Sequence, residues 1–184
     1  MRKNIKFFIV GETNSGKDTL ARRLAKDLGL EVLASYTDNP KRADQTEGVE
    51  HRFVSKEYMS QILDTEEIFA YTETIGARYC ATVSQVKECD LYVINPDGLI
   101  NTDKKNLALL EHRIIFLDVD KSIRKQRSIA RGDDLQSFEN RCKKEQEEFD
   151  KFREEGKYDL RLQNYSHDKG YDIVKNYITS VLNY

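Results

Sequence analysis

The chain has 184 residues, room for one domain with a substantial core or a core carrying a small insertion. Its 30 Lys and Arg against 32 Asp and Glu leave a formal net charge of −2, which argues against broad electrostatic binding to nucleic acid or to an acidic membrane. Cys80, Cys89 and Cys142 are odd in number and off metal-ligand spacing, and no apolar run approaches the roughly 20 residues of a membrane helix, so reduced thiols in a cytoplasmic protein are expected.

Ile5, Phe7, Phe8, Ile9 and Val10 predict a first buried strand. It runs into Gly11-Glu12-Thr13-Asn14-Ser15-Gly16-Lys17-Asp18-Thr19, which fits the first seven positions of the phosphate-loop pattern G-x-x-x-x-G-K-[ST]. The backbone N–H groups of such a turn and the helix N-terminus behind it favour an anion at one place. Gly11, Asn14, Ser15, Gly16, Lys17, Asp18 and Thr19 are therefore candidate nucleotide contacts, in a switch protein or a kinase alike, with Lys17 supplying charge to the terminal phosphates. Asp18 stands where the pattern has Ser or Thr. Either its carboxylate or the Thr19 hydroxyl is an oxygen ligand suited to magnesium.

Leu20, Ala21, Leu24, Ala25 and Leu28 recur at helical spacing until Gly29. Glu31 to Ala34 reads as a second parallel strand and Ser35 to Arg42 as a loop. Ser55 caps a predicted helix with Tyr58, Met59 and Ile62 on its apolar side. Ile68 to Val83, rich in β-branched and aromatic residues, predicts short strands in an insertion outside the main sheet. Leu91 to Ile94 is a further buried strand ending at Asn95-Pro96-Asp97-Gly98. A helix is expected over Asp103 to Glu111, with Thr102 near its start, then a strand over Ile114 to Leu117 and a helix over Ile123 to Ala130.

The charged stretch Arg127, Arg131, Gly132, Asp133, Asp134 reads as a flexible flap. Ser137 then caps a long helix in which Phe138, Cys142, Glu145, Phe149 and Phe152 follow helical spacing. Leu160 and Leu162 mark a last strand, and Tyr171, Val174, Ile178 and Val181 a closing amphipathic helix. Strands separated by helices imply an α/β fold with a parallel sheet covered on both faces and a ligand crevice beyond the strands' carboxyl ends.

Beyond the loop, three segments carry a family resemblance: Thr37-Asp38-Asn39-Pro40-Lys41-Arg42, then Gly48-Val49-Glu50-His51-Arg52-Phe53-Val54, then Tyr79-Cys80-Ala81-Thr82. In order and spacing they resemble the Thr-Thr-Arg-x-Pro-Arg, Gly-x-Asp-Tyr-x-Phe-Val and Tyr-Gly-Thr segments of the guanylate kinase family. The lid pattern of that family is similar to Arg127, Arg131, Gly132, Arg141 and Glu148. The resemblance implies a three-layer α/β/α P-loop kinase fold: a core of residues 1–34, 84–126 and 150–184, an acceptor-binding insertion of 35–83 and a lid of 127–149. It implies γ-phosphoryl transfer from ATP, with Mg2+, to a small phosphorylated acceptor, a nucleoside monophosphate of the GMP or dGMP kind, in a monomer or homodimer. Lys17, Arg127, Arg131 and Arg141 become catalytic candidates and Asn164 an adenine contact. Ser35, Arg42, His51 and Tyr79 become acceptor contacts, and Asp97 joins Asp18 and Thr19 as a magnesium candidate.

The departures are specific. Asn39 replaces an acceptor-phosphate arginine, Ala70 the guanine-reading glutamate, His51 a tyrosine, Cys80-Ala81 a Gly-Thr pair and Asn95 an acidic residue. Gly16-Lys17-Asp18-Thr19 and Phe69-Ala70 are similar instead to the ribose bisphosphate phosphokinases, so a sugar-phosphate kinase is an alternative. A guanylate kinase-like binding module without catalysis is a further one.

Overall fold

The computed structural model describes residues 4–41, 45–49, 51–74, 76–100, 102, 107–108, 110–163 and 165–182. In chain order, β1 (Lys6–Gly11) is buried along its whole length and hands over to α1 (Lys17–Leu28), whose Leu20, Ala21 and Leu24 face inward. Gly29 ends α1 in the left-handed conformation, φ 63°, as the spacing predicts. β2 (Ser35–Thr37), β3 (His51–Phe53), α2 (Lys56–Thr65), β4 (Ile68–Thr74), β5 (Ala77–Thr82) and α3 (Val83–Glu88) make up the middle of the chain. β6 (Leu91–Val93), α4 (Pro96–Ile100), β7 (His112–Asp118), α5 (Lys121–Arg131), α6 (Leu135–Glu155), β8 (Leu160–Gln163) and α7 (His167–Leu182) complete it.

β6, β1, β7 and β8 pair in that order, all parallel. Because successive side chains of a strand point to opposite faces, Phe7 and Ile9 enter one layer with Leu24, Val174 and Ile178, while Phe8 and Val10 enter the other with Phe69, Phe149 and Phe152. The sheet is therefore covered on both sides. A second sheet, β3-β2-β5-β4, is built on the β4–β5 hairpin and closes over a small cluster of Met59, Ile62 and Cys80. Cys80, Cys89 and Cys142 are all buried and unpaired, and among the described residues no helix is long and apolar enough to cross a membrane.

Several expectations need correction. Glu31 to Ala34 is not a full strand: Val32 makes one parallel bridge to Leu91, and the Leu33 N–H donates to the Leu91 carbonyl. The strand begins at Ser35, where a loop was expected, because parallel pairing with β3 and antiparallel pairing with β5 satisfy its backbone without an apolar run. Ser55 does cap α2, its hydroxyl accepting from the Tyr58 N–H. Tyr58 itself is 48% exposed, since Met59 and Ile62 fix the buried stripe and Tyr58 lies about 100° away from Met59.

Arg127 and Arg131 lie inside α5 rather than in a flap; the helix stops at Gly132, φ 78°. The cap of α6 is Asp134, whose carboxylate accepts from the Ser137 N–H, not Ser137. The helix expected over Asp103 to Glu111 falls largely outside the described residues.

Candidate active site

The loop between β1 and α1 is shaped by two constraints. A Cβ on Gly11 would lie 2.6 Å from Ser15 Oγ and 3.1 Å from Leu117, so only glycine lets the chain pass there. Asn14 (φ 61°) and Gly16 (φ 95°) take the left-handed region, which Gly and Asn tolerate best. The Ser15 carbonyl receives Arg127 Nη1 at 2.6 Å and the Tyr165 hydroxyl at 2.8 Å. Arg127 thus braces the loop's backbone. The Ser15 hydroxyl is buried with no partner among the described residues.

Two clefts open from this loop. The larger, about 610 Å³, is bordered by Asn14, Lys17, Asp18, Thr19, Ser35, His51, Asn95, Arg131 and Arg141. The smaller, about 320 Å³, is bordered by Gly11, Ala70, Tyr79, Tyr92, Asn95, Glu148 and Phe149, and again by Lys17, Ser35 and His51. Lys17, Ser35 and His51 therefore stand where the two clefts meet. The β4–β5 hairpin forms one wall of the smaller cleft and α6 part of another.

Most of the residues selected from the sequence converge here. Ser35 Oγ lies 3.0 Å from His51 Nδ1, the rings of His51 and Tyr79 are 5.3 Å apart, and Asn39 Nδ2 donates to the Tyr79 hydroxyl at 2.9 Å. Arg131 binds Asp133 at 2.8 Å and reaches Asn14 Oδ1 at 3.3 Å. Arg141 Nε is buried with no hydrogen-bond partner among the described residues. Asp97 is exposed and borders neither cleft. Arg42 and Asn164 lie outside the described residues.

A magnesium ion bound with nucleotide takes one or two carboxylates plus phosphate and water oxygens rather than a protein cage. Asp18 and Thr19, side by side at the start of α1 on the larger cleft, fit that donor set. Among the described residues no group of three or more His, Cys, Asp and Glu side chains forms a cage.

Sequence reasoning missed Glu12, Arg124, Arg153 and Asp118, and gave Glu145 and Glu148 no contact. Glu12, whose side chain is 5% exposed, binds Arg124 at 2.7 Å and also Arg153; Arg153 and Arg161 both bind Asp118, each through Nε at 2.9 Å. Arg124 also donates to the Val119 and Thr13 carbonyls. Burial raises the Glu12 carboxyl above its ordinary value, against Arg124 and Arg153. Burial also opposes ionisation of Asp118, but hydrogen bonds from Arg153 and Arg161 outweigh it and hold that carboxyl below the usual range. From α6, Glu145 accepts from the Thr13 N–H at 2.8 Å and from the Thr13 hydroxyl at 2.5 Å. Glu148 accepts from the Asp97 N–H at 2.6 Å, and burial pushes its carboxyl up to about 7.

Comparison with known proteins bears on the family and the fold. The family model for guanylate kinase matches residues 3–181. The guanylate kinase of Neisseria gonorrhoeae is 30% identical over 114 residues, 61% of this chain and 55% of that protein, so the match spans about half of the relative's length. That of Mesorhizobium japonicum is 24% identical over 188 residues, 97% of this chain and 84% of the relative. The crystal structure of guanylate kinase from Anaplasma phagocytophilum superposes with a TM-score of 0.64 at 19% identity, covering 99% of this chain and 89% of that one. At that identity the likeness establishes the three-layer P-loop kinase fold.

Proposed function

The chain belongs to the guanylate kinase family, and from that premise we propose that it moves the γ-phosphoryl group of ATP, with Mg2+, to the phosphate of a nucleoside monophosphate, GMP or dGMP foremost. The observation that carries this reading is the place of Lys17: it borders both clefts, so one ammonium group reaches the end of a donor in the larger and the phosphate of an acceptor in the smaller. Phosphoryl transfer depends chiefly on in-line positioning and on neutralising the transferred group, and needs no covalent nucleophile.

In this reading the loop amides and Lys17 hold the donor phosphates. Arg131 and Arg141 border the larger cleft as well, Arg141 with a buried donor that has no partner among the described residues and that a phosphate oxygen would satisfy. Arg127 acts at one remove, through the Ser15 carbonyl. Ser35, His51 and Tyr79 orient the acceptor phosphate. Asp18 and Thr19 would hold magnesium, which when bound neutralises phosphate charge. Residues 35–83 serve as the acceptor-binding insertion, 127–149 as the lid, and the remainder as the core.

A coupled ADP-release assay across GMP, dGMP, the other nucleoside monophosphates and ribose bisphosphate tests the proposal. Release stimulated by a nucleoside monophosphate is the expected result. Stimulation by the sugar phosphate alone would replace the acceptor class, and ATP binding with no stimulated release would leave a binding module.

A further inference from the structure

Two hydrogen-bonding groups of the smaller cleft keep an atom without a partner among the described residues. Tyr92 is only 6% exposed, borders this cleft and not the larger one, and its hydroxyl has no partner among the described residues. Glu148 also borders only this cleft. One of its carboxylate oxygens is taken by the Asp97 N–H, and the other has no partner among the described residues. A ligand that fills the cleft displaces the water these groups face, and leaving such a group unpaired then costs on the order of 1–3 kcal/mol, so a ligand that fits must meet both.

The rest of the cavity says which part of a ligand they face. Lys17, Ser35 and His51 are shared with the larger cleft, so an acceptor's phosphate belongs at that junction. Ala70, Tyr92, Glu148 and Phe149 border the smaller cleft alone, where the body of the acceptor must extend. On the hairpin side Ala70 offers only a methyl, the Tyr71 and Tyr79 hydroxyls are engaged by Glu73 and Asn39, and Thr72 adds one hydroxyl, so β6 and α6 are the further source of polar recognition.

Resting on the nucleoside monophosphate reading above, we propose that Tyr92 and Glu148 are the specificity-determining residues that read the acceptor's base. The phenol donates to an acceptor atom on the base edge, and the free Glu148 oxygen accepts an N–H beside it. Phe149 and Ala70 pack on the base itself. Burial holds the Tyr92 phenol above its ordinary range, which keeps it a neutral donor, and the raised Glu148 carboxyl reports the same dry surroundings.

The test is Tyr92→Phe, which removes one oxygen and keeps the ring. Steady-state kinetics are measured with GMP, dGMP, AMP, CMP, UMP, dTMP and base-free ribose 5-phosphate, together with thermal unfolding to check the fold. For whichever nucleotide the wild type phosphorylates, KM of the acceptor should rise about tenfold, with KM for ATP unmoved, and Glu148→Gln should act on the same constant. An unchanged acceptor KM in both variants, beside an active wild type, overturns this inference and leaves the proposed function standing. A wild type that accepts only the base-free phosphate, or no acceptor at all, overturns both.

Discussion

Glu145 grips Thr13 by both its backbone N–H and its hydroxyl, at 2.8 and 2.5 Å, so a carboxylate from α6 sits on the loop that should receive phosphate. A loop whose amides favour an anion has found one within its own chain. Glu145→Ala should therefore tighten ATP binding, about tenfold or more, since one hydrogen bond to a charged group is worth on the order of 1.5–3 kcal/mol. Titration calorimetry reads this directly, and weaker binding in the variant would mean that Glu145 shapes the loop rather than competes for it.

Lys17→Ala should lower turnover by about a hundredfold or more, the range seen when one preorganised charge-stabilising donor is removed. Its side chain meets Asp18 only at 4.0 Å, so unfolding temperature should be nearly unchanged. Turnover close to normal would remove Lys17 from the mechanism.

Arg124→Met leaves the buried Glu12 with Arg153 as its remaining partner. Breaking one side of a buried pair typically costs about 3–5 kcal/mol, whereas replacing both partners is much milder. Denaturant unfolding should show a large loss for the single variant and partial recovery in Glu12→Gln/Arg124→Met. Additive losses would mean that the two side chains stabilise the fold independently.

Two carboxyls give stability opposite dependences on pH. Glu148 titrates near 7 in the fold and near its lower ordinary value when unfolded, so its contribution is full below that ordinary value and is lost as pH rises through 7. The slope from one such group is at most about 1.4 kcal/mol per pH unit. Asp118, held low by Arg153 and Arg161, contributes above the ordinary aspartate value of about 4 and loses that contribution as pH falls further. Unfolding free energies from pH 3 to 8 should lose the neutral-range slope in Glu148→Gln and the acid slope in Asp118→Asn.

What could be read in advance, and what could not, divides on physical grounds. The turn from β1 to α1 was legible because its constraints are local: Gly11 is demanded by the approach of Ser15 four residues on, and Gly29 by the left-handed end of α1. Glu12 and Arg124 were not, because their burial is created by partners more than a hundred residues away, and in the sequence each is one charge among many. The cap of α6 was expected at Ser137, and the structure puts it three residues earlier, with the Asp134 carboxylate on the Ser137 N–H. β2 was hidden by its composition, since Ser35, Tyr36 and Thr37 become a strand through their neighbours.

α6 runs unbroken for 21 residues, about 31 Å, between Gly132 and Gly156, both in the left-handed conformation. Arg141, Glu145, Glu148 and Phe149 follow one another along a single stripe of it, touching in turn the larger cleft, the loop and the smaller cleft. On the proposed function, a tilt of such a rod that brought Arg141 to a donor phosphate would carry Glu148 with it, and the two clefts would be coupled. By thermodynamic reciprocity, whatever factor the donor lends to acceptor affinity, the acceptor must return to the donor.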